Sequence, residues 1–142
     1  QDGMKQMKLQ STINKWNKIS KPQLELEGKW LMAGRIRDNK EQRRDITRSR
    51  KTMKFLKDGF FQWIAFNTET FQFFGAGGGY YSAKKERYTE HIEYFSRNNT
   101  SVGRVLPFEY SISGIEWHHQ GFSSKGDPIH EIWSIRVGHE NE

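Results

Sequence analysis

The sequence contains no cysteine, which excludes disulfide bonds, thiolate metal sites and thiol nucleophiles at once. It also lacks an apolar run approaching the ~20 residues that a membrane-spanning helix needs. We therefore expect no transmembrane segment. The first residues do not show the charged and then apolar pattern of a signal peptide.

Proline is scarce as well, with three residues against 13 glycines. This balance fits many strands and tight turns better than long helices. Only 34% of the chain is hydrophobic, yet Phe, Trp and Tyr together occupy 20 of the 142 positions. Each aromatic ring buries about 150–250 Å², so a core can form with few Leu and Val. The length fits one domain, since domains commonly span ~100–150 residues.

Positive charge is concentrated in the first part of the chain. Residues 1–57 hold 16 Lys and Arg against 6 Asp and Glu, whereas residues 58–142 hold 7 against 11. An anionic surface or polymer could bind the basic stretch 35–57, and the candidates for that contact are Arg43, Arg44, Arg48 and Arg50. A solvated face is the favoured interpretation, because acidic residues interrupt the stretch and no nucleic-acid-binding motif is present. We expect no nucleic-acid partner.

Eight β-rich runs follow one another through short turn sequences. Asp58-Gly59 is a strong hairpin signal between two of them, because both residues tolerate positive φ. The polar stretch 38–47 is predicted to be a long loop. Sequential strands without crossover helices indicate an antiparallel meander, and eight strands can close into an up-and-down barrel. The predicted strands are 26–37, 51–57, 60–66, 71–81, 87–95, 103–112, 115–122 and 129–137.

The chain is divided into a basic N-terminal arm, residues 1–23, and a barrel domain, residues 24–142. Ile13, Trp16 and Ile19 recur at three-residue spacing, which predicts a short helix in the arm. Pro22 is expected to end that helix.

Gly28-Lys29-Trp30, at the start of the first strand, resembles the Gly-x-Trp signature of lipocalins and the wider calycin group. The resemblance implies that Trp30 closes one end of the barrel and that Arg136 packs across it. A guanidinium over an indole contributes ~0.5–2 kcal/mol.

Five further blocks are similar to a lipocalin-like bacterial envelope family of unknown function. They are FQWIA at 61–65, GAGGG at 75–79, YTEHIE at 88–93, WHH at 117–119 and SSKGDP at 123–128. The resemblance spans residues 24–136 and implies a lipocalin-like barrel and export. We accordingly expect a secreted or periplasmic location in the cell envelope, with Gln1 as the terminus left after signal-peptide removal. The family supplies no known ligand or reaction.

The interior of the barrel is the candidate ligand site. Strand parity predicts that one of Glu90 and Glu93 faces inward, and Glu90 is preferred because its face carries more apolar bulk. A buried carboxylate needs a partner, for which Arg104 or an indole N–H is available. The predicted interior residues are Trp63, Glu90, Tyr94, Trp117, His119, Glu131 and Trp133.

Three functions remain open. The first is non-enzymatic binding of a small apolar or amphipathic molecule, anchored by Glu90, His119 and Glu131. The second is an envelope interaction module with a filled barrel and an anion-binding arginine face. The third and weakest is a catalytic barrel that uses an interior carboxylate and histidine.

Enzymatic chemistry and a metal site are both disfavoured. No set of nucleophile, base and orienting residue is visible, and no Gly-x-Ser-x-Gly elbow exists. His118 and His119 are adjacent on a strand and point to opposite faces, so they cannot share one ion without distortion. His91 could join one of them only if their strands meet across the interior. The glycines at 75–79 do not match a phosphate loop, and they are expected to bend a strand or leave space inside the barrel. We expect no cofactor and no metal.

Overall fold

The computed structural model describes residues 20–137, which form a closed antiparallel β-barrel preceded by a short helix. The predicted all-β fold is confirmed. The helix is α1, Lys21–Leu26, and a single 3-10 turn covers Asn99–Ser101. The strands are β1 Gly28–Arg37, β2 Lys40–Arg43, β3 Arg50–Lys57, β4 Phe60–Asn67, β5 Phe73–Lys84, β6 Arg87–Phe95, β7 Val105–Ser113, β8 Glu116–Phe122 and β9 Pro128–Ile135.

The barrel closes because β1 pairs with both β3 and β9. Its first residues lie opposite β3, with Gly28 beside Leu56, and Trp30 lies opposite Ile135 of β9. The other barrel strands pair in chain order, each antiparallel to the next. Closure leaves no unpaired edge in the eight-stranded wall. The turn at Asp58-Gly59 has the positive φ angles, 53° and 82°, that its sequence predicts.

Strand β2 corrects the prediction of a long loop at 38–47. It forms a hairpin with the far end of β1, where Gly34 to Arg37 lie opposite Arg43 to Lys40. Asp38 and Asn39, with φ of 53° and 60°, form the two-residue turn. β2 is polar on both faces, so its sequence lacks the alternation of apolar and polar residues from which strands are predicted.

The helix α1 closes the base of the barrel. Ser20 caps it by accepting the Gln23 N–H at 3.1 Å, and the Ser20 hydroxyl donates to the Ala83 carbonyl of β5 at 2.9 Å. Pro22 lies in the first turn of α1 and does not end a helix, which corrects its predicted role. Proline is tolerated there because the first backbone N–H groups of a helix have no helical partner. The helix predicted around Ile13–Ile19 lies outside the described residues.

Trp30 occupies the closed end, but its partner is not Arg136. Its Nε1 donates to the Leu26 carbonyl at 2.8 Å, and its ring meets that of Trp117 edge-on at 5.4 Å. Arg136 is exposed, its backbone N–H donates to the Lys29 carbonyl, and no cation–π contact within residues 20–137 involves its guanidinium. The helix α1 thus does the covering that was expected of Arg136. Within the same residues, no helix is long and apolar enough to cross a membrane.

Candidate functional site

The barrel encloses a cavity of about 790 Å³ that opens away from α1. Side chains from seven of the eight wall strands line it, and β5 contributes only the backbone of Gly78. The lining side chains fall into three levels by their position along the strands. The floor is formed by Met32, Lys54, Phe61, Glu90, Phe108, His119 and Trp133; the middle by Thr52, Trp63, Ile92, Leu106 and Glu131; and the mouth by Arg35, Arg43, Arg44, Asp45, Arg48, Arg50, Ala65, Phe95, Arg97, Ser123, Ser124 and Ile129.

A buried ion pair lies on the cavity floor. Lys54 Nζ is 3.0 Å from Glu90 Oε2, and the side chains of both residues are at most 10% exposed. The Tyr88 hydroxyl donates to the same carboxylate oxygen at 2.7 Å. Burial, with the adjacent Glu90 adding to it, raises the pKa of Tyr88 well above its ordinary value. The inward position of Glu90 is as predicted, but its partners are Lys54 and Tyr88, whereas Arg104 donates to the Ser124 carbonyl.

Aromatic rings surround the Lys54 side chain. Its Nζ lies 4.8 Å from the ring centroid of Trp133 and 5.2 Å from that of Trp117, with Tyr88 and Phe61 slightly farther away. An ammonium over desolvated aromatic faces gains about 2 kcal/mol. Together with Glu90, these contacts fix the position of Lys54 and make the floor rigid.

His119 and Glu131 form a second polar pair on the wall. His119 is 2% exposed, and its Nδ1 has no hydrogen-bond partner within residues 20–137. Its Nε2 is 3.9 Å from Glu131 Oε1, which accepts the Trp133 indole N–H at 3.3 Å. Burial, reinforced by Lys54, lowers the pKa of His119 well below its ordinary value, and burial raises the pKa of Glu131. The imidazole is therefore neutral near pH 7, and its unpaired ring nitrogen is buried behind the cavity surface.

Tyr94 does not line the cavity, which corrects its predicted inward position. Tyr88, Glu90 and Ile92 alternate inward on β6, but the register with β5 shifts between Ile92 and Tyr94. This bulge at Glu93 turns Tyr94 outward, where it is 42% exposed, and turns Phe95 into the wall.

A second bulge brings an arginine into the site. The register of β1 against β9 shifts between Met32 and Gly34. Without that shift, Arg35 would point out of the barrel, because Trp30 and Met32 set the inward parity. With it, Arg35 lies opposite Glu131 and lines the mouth.

The three tryptophans predicted to face inward do so, at different levels. Trp63 and Trp133 line the cavity, whereas Trp117 is fully buried beneath it and packs against Trp30, Tyr88 and Trp133. Trp117 is thus part of the closed base and not of the ligand wall. Gly77 lies directly under Trp63, and a side chain there would overlap the indole. Gly77 therefore leaves space inside the barrel, which is one of the two roles predicted for the glycines at 75–79; the other was to bend the strand.

The predicted anion-binding arginines lie at the mouth of the cavity. Arg44, Arg48 and Arg50 line it together with Arg43, whose guanidinium pairs with Glu116 and, at 2.6 Å, with Glu41. The arginine-rich segment and the barrel interior are therefore parts of one site, although the sequence presented them as separate candidates.

Residues 25–142 match the family described as a domain of unknown function, DUF4488. The chain belongs to the DUF4488 family. The prediction of a lipocalin-like barrel family without an assigned function is confirmed. No curated protein is a significant match to this DUF4488 chain.

Two solved structures are similar to this DUF4488 domain. A lipocalin-like protein from Bacteroides uniformis ATCC 8492 has a TM-score of 0.53 at 15% identity, over 79% of this chain and 99% of that one. An uncharacterized protein from Bacteroides eggerthii DSM 20697 has a TM-score of 0.49 at 14% identity, over 76% of this chain and 98% of that one. The first likeness supports the lipocalin-like fold.

Lys54, Tyr88, Arg35 and Arg97 are among the residues of the DUF4488 site that the sequence alone did not identify as site residues. Lys54 shares its strand face with Leu56, and this apolar neighbour was the available signal that the lysine is buried. The inward position of Arg35 depends on a bulge that no sequence pattern indicates. Arg97 lies in a turn, where side-chain direction has no period to follow.

The histidines of this DUF4488 domain are dispersed. His118 Nδ1 is 3.0 Å from His130 Nε2 outside the barrel, and His91 stacks on Tyr80 at 4.2 Å. Of the four histidines within residues 20–137, only His119 lines the cavity. Among residues 20–137, no group of three or more His, Asp or Glu side chains is placed to hold a metal ion.

We expect acid to destabilise the protein in a way that depends on His119. Unfolded histidine titrates near pH 6.5, whereas the lowered pKa of His119 keeps the folded protein from binding that proton. Stability is therefore complete above pH 6.5 and falls by about 1.4 kcal/mol per pH unit below it.

Urea unfolding at about pH 7.5 and about pH 5 would measure this effect, with His119→Gln as the comparison. Wild type should lose up to about 2 kcal/mol more than the variant between these pH values. The raised pKa of Glu131 works in the opposite direction and is present in both proteins. Equal pH dependence in the two proteins would show that His119 does not stay neutral.

Proposed function

We propose that the barrel binds a small, largely apolar molecule in its interior, as a carrier or sensor without catalysis. The cavity carries this proposal, because about 790 Å³ of space lies inside the wall and opens to solvent. Ligand pockets of small molecules commonly measure ~300–1,000 Å³. Burial of apolar ligand surface against these side chains contributes ~25 cal/mol per Å².

The middle of the cavity supplies the apolar contact surface. Trp63, Ile92 and Leu106 line the cavity at this level. Below them, the His119 Nδ1 has no hydrogen-bond partner within residues 20–137, but it is buried and not presented to a ligand. The Glu131 carboxyl, whose side chain is 28% exposed, is the polar group that a ligand can reach. The Lys54–Glu90 pair is satisfied internally and serves as a fixed floor. An apolar molecule with one polar substituent fits this distribution.

The alternative envelope module required a filled barrel. The cavity counts against that requirement, and the arginine face borders the same cavity. We therefore favour the small-molecule function over contact with an extended surface.

Titration with N-phenyl-1-naphthylamine, a neutral apolar dye that fluoresces in apolar surroundings, tests the proposal. Wild type should bind the dye. Ala65→Phe should weaken binding about tenfold or more, because Ala65 is buried on the cavity wall and the added ring occupies ligand space.

Ala76→Phe is the matched control. Ala76 lies on the neighbouring strand between Gly75 and Gly77, and alternation places its side chain outside the barrel. It should bind the dye like wild type, and thermal unfolding would establish that both variants fold. No dye binding by wild type, or equal loss in both variants, would contradict the proposed function.

A further inference from the structure

Positive charge is collected around the cavity mouth to an extent that the barrel fold does not require. Six arginines and one lysine line the cavity, against the three carboxyl groups of Asp45, Glu90 and Glu131. Lys54 and Glu90 neutralise each other on the floor. The remaining excess lies at the mouth and consists of Arg35, Arg43, Arg44, Arg48, Arg50 and Arg97.

Most of these arginines have no acidic partner within residues 20–137. The ion pairs found there include only one of the six, Arg43, which binds Glu41 and Glu116. The Asp45 carboxylate accepts the Thr47 N–H at 3.0 Å and the Thr47 hydroxyl at 2.6 Å, and its charge offsets part of that of Arg48. The mouth therefore carries an excess of positive charge that the acidic groups around it offset only in part.

Arg44 experiences repulsion from three of the other mouth arginines. Partial burial, with repulsion from Arg35, Arg50 and Arg48, lowers the pKa of its guanidinium, and only Glu131 opposes that effect. An anion bound among these side chains would remove the repulsion and replace lost hydration. A free site of this kind favours an anion over a neutral molecule.

Contacts with the barrel hold part of this arginine group in place before any ligand arrives. The Arg44 backbone N–H donates to the Ala33 carbonyl at 2.9 Å, Arg50 stacks on the Phe74 ring at 4.1 Å, and Arg97 Nε donates to the Phe74 carbonyl at 3.3 Å. Positions fixed in this way reduce the conformational entropy that binding would otherwise cost. Guanidinium groups bind carboxylate, sulfate and phosphate oxygens by paired hydrogen bonds.

We propose that the ligand of this cavity is an anionic amphiphile, whose acidic group binds Arg44, Arg48 and Arg50 at the mouth while its apolar body occupies the barrel. This inference rests on the proposed function and adds the chemical class of the ligand. The apolar part contacts the tryptophans and aliphatic residues of the middle level, and the acid stays at the level where solvent enters.

Isothermal titration calorimetry at low ionic strength tests the inference with four probes that share one alkyl chain. Dodecanoate and monododecyl phosphate carry an acid, 1-dodecanol is neutral, and dodecyltrimethylammonium is cationic. Both acids should bind about tenfold or more tightly than 1-dodecanol, because charged hydrogen bonds add to the same apolar contact. Dodecyltrimethylammonium should bind more weakly than 1-dodecanol. The acid that binds with the higher affinity shows whether the site prefers a carboxylate or a phosphate.

The variant Arg44→Gln/Arg48→Gln separates the contribution of the mouth arginines to binding from that of the apolar cavity. It should lose the preference for acids, with about tenfold weaker binding, while its affinity for 1-dodecanol is unchanged. Added salt should weaken acid binding in wild type more than in the variant. Arg87→Gln is the control, since Arg87 begins β6 at the closed end, opposite Glu109.

The outcomes distinguish the two proposals. Equal affinity for dodecanoate and 1-dodecanol, or acid binding that the double variant retains, would overturn the anion inference and leave the proposed function standing. Failure of all four probes to bind wild type would overturn both.

Discussion

Glu90→Gln is expected to destabilise the protein by about 3–5 kcal/mol, because it leaves the Lys54 ammonium buried without its counter-ion. The substitution keeps the shape of the side chain and an oxygen that can accept the Tyr88 hydroxyl, so the lost interaction is the charge. For a domain of this size, such a loss corresponds to a fall in Tm of roughly 10 °C or more. Urea unfolding followed by tryptophan fluorescence would measure it.

Two further variants show whether the buried charge is the cause. Lys54→Met/Glu90→Gln removes both charges and should recover most of the lost stability, since a buried ion pair replaced as a whole costs little. Glu93→Gln makes the same change at an exposed position of the same strand and should stay within ~0.5 kcal/mol of wild type. A double variant as unstable as Glu90→Gln would exclude the explanation based on an uncompensated ammonium.

The architecture was predictable from the sequence because local signals repeat along the chain. Asp58-Gly59 specifies a tight hairpin, and Trp63, Trp117 and Trp133 lie in short β-rich runs that turn sequences separate. These signals act over a few residues and do not depend on the partner strand. Their succession without helices leaves few topologies other than a meander that closes.

Side-chain direction was predictable only where the register is regular. One extra residue at Glu93 reverses the faces of Tyr94 and Phe95, and a similar shift after Met32 turns Arg35 inward. A bulge depends on the pairing of two strands that are distant in sequence, so neither strand alone encodes it visibly. The same limit explains why the arginine-rich segment and the barrel interior looked like separate features.

The presence of a cavity likewise depends on how side chains from different strands share volume. Gly75 and Gly77 supply no side chain to the interior, and Arg97 and Trp63 lie in the space that they leave. The aromatic content predicted a well-filled interior as readily as a hollow one. Only the three-dimensional arrangement shows that the large rings gather at the base, below the cavity.

Trp117→Ala is the second substitution with a large expected effect, about 3–5 kcal/mol of destabilisation. Trp117 is fully buried at the base and contacts Trp30 edge-on at 5.4 Å and Tyr88 edge-on at 5.1 Å. Truncation leaves a void among rigid rings, which cannot collapse to fill it. Thermal and urea unfolding would measure the loss.

Two comparisons connect this effect to the division between a solid base and a hollow upper barrel. Trp117→Phe should cost far less than Trp117→Ala, because it keeps most of the ring and removes an indole N–H that has no hydrogen-bond partner in residues 20–137. Trp63→Ala should also cost less, since Trp63 already borders empty space. Conversely, Trp63→Ala should weaken binding of N-phenyl-1-naphthylamine, because its ring is part of the cavity wall. Equal destabilisation by Trp63→Ala and Trp117→Ala would mean that the upper barrel is packed as tightly as the base, and the interior would then have no space for a ligand.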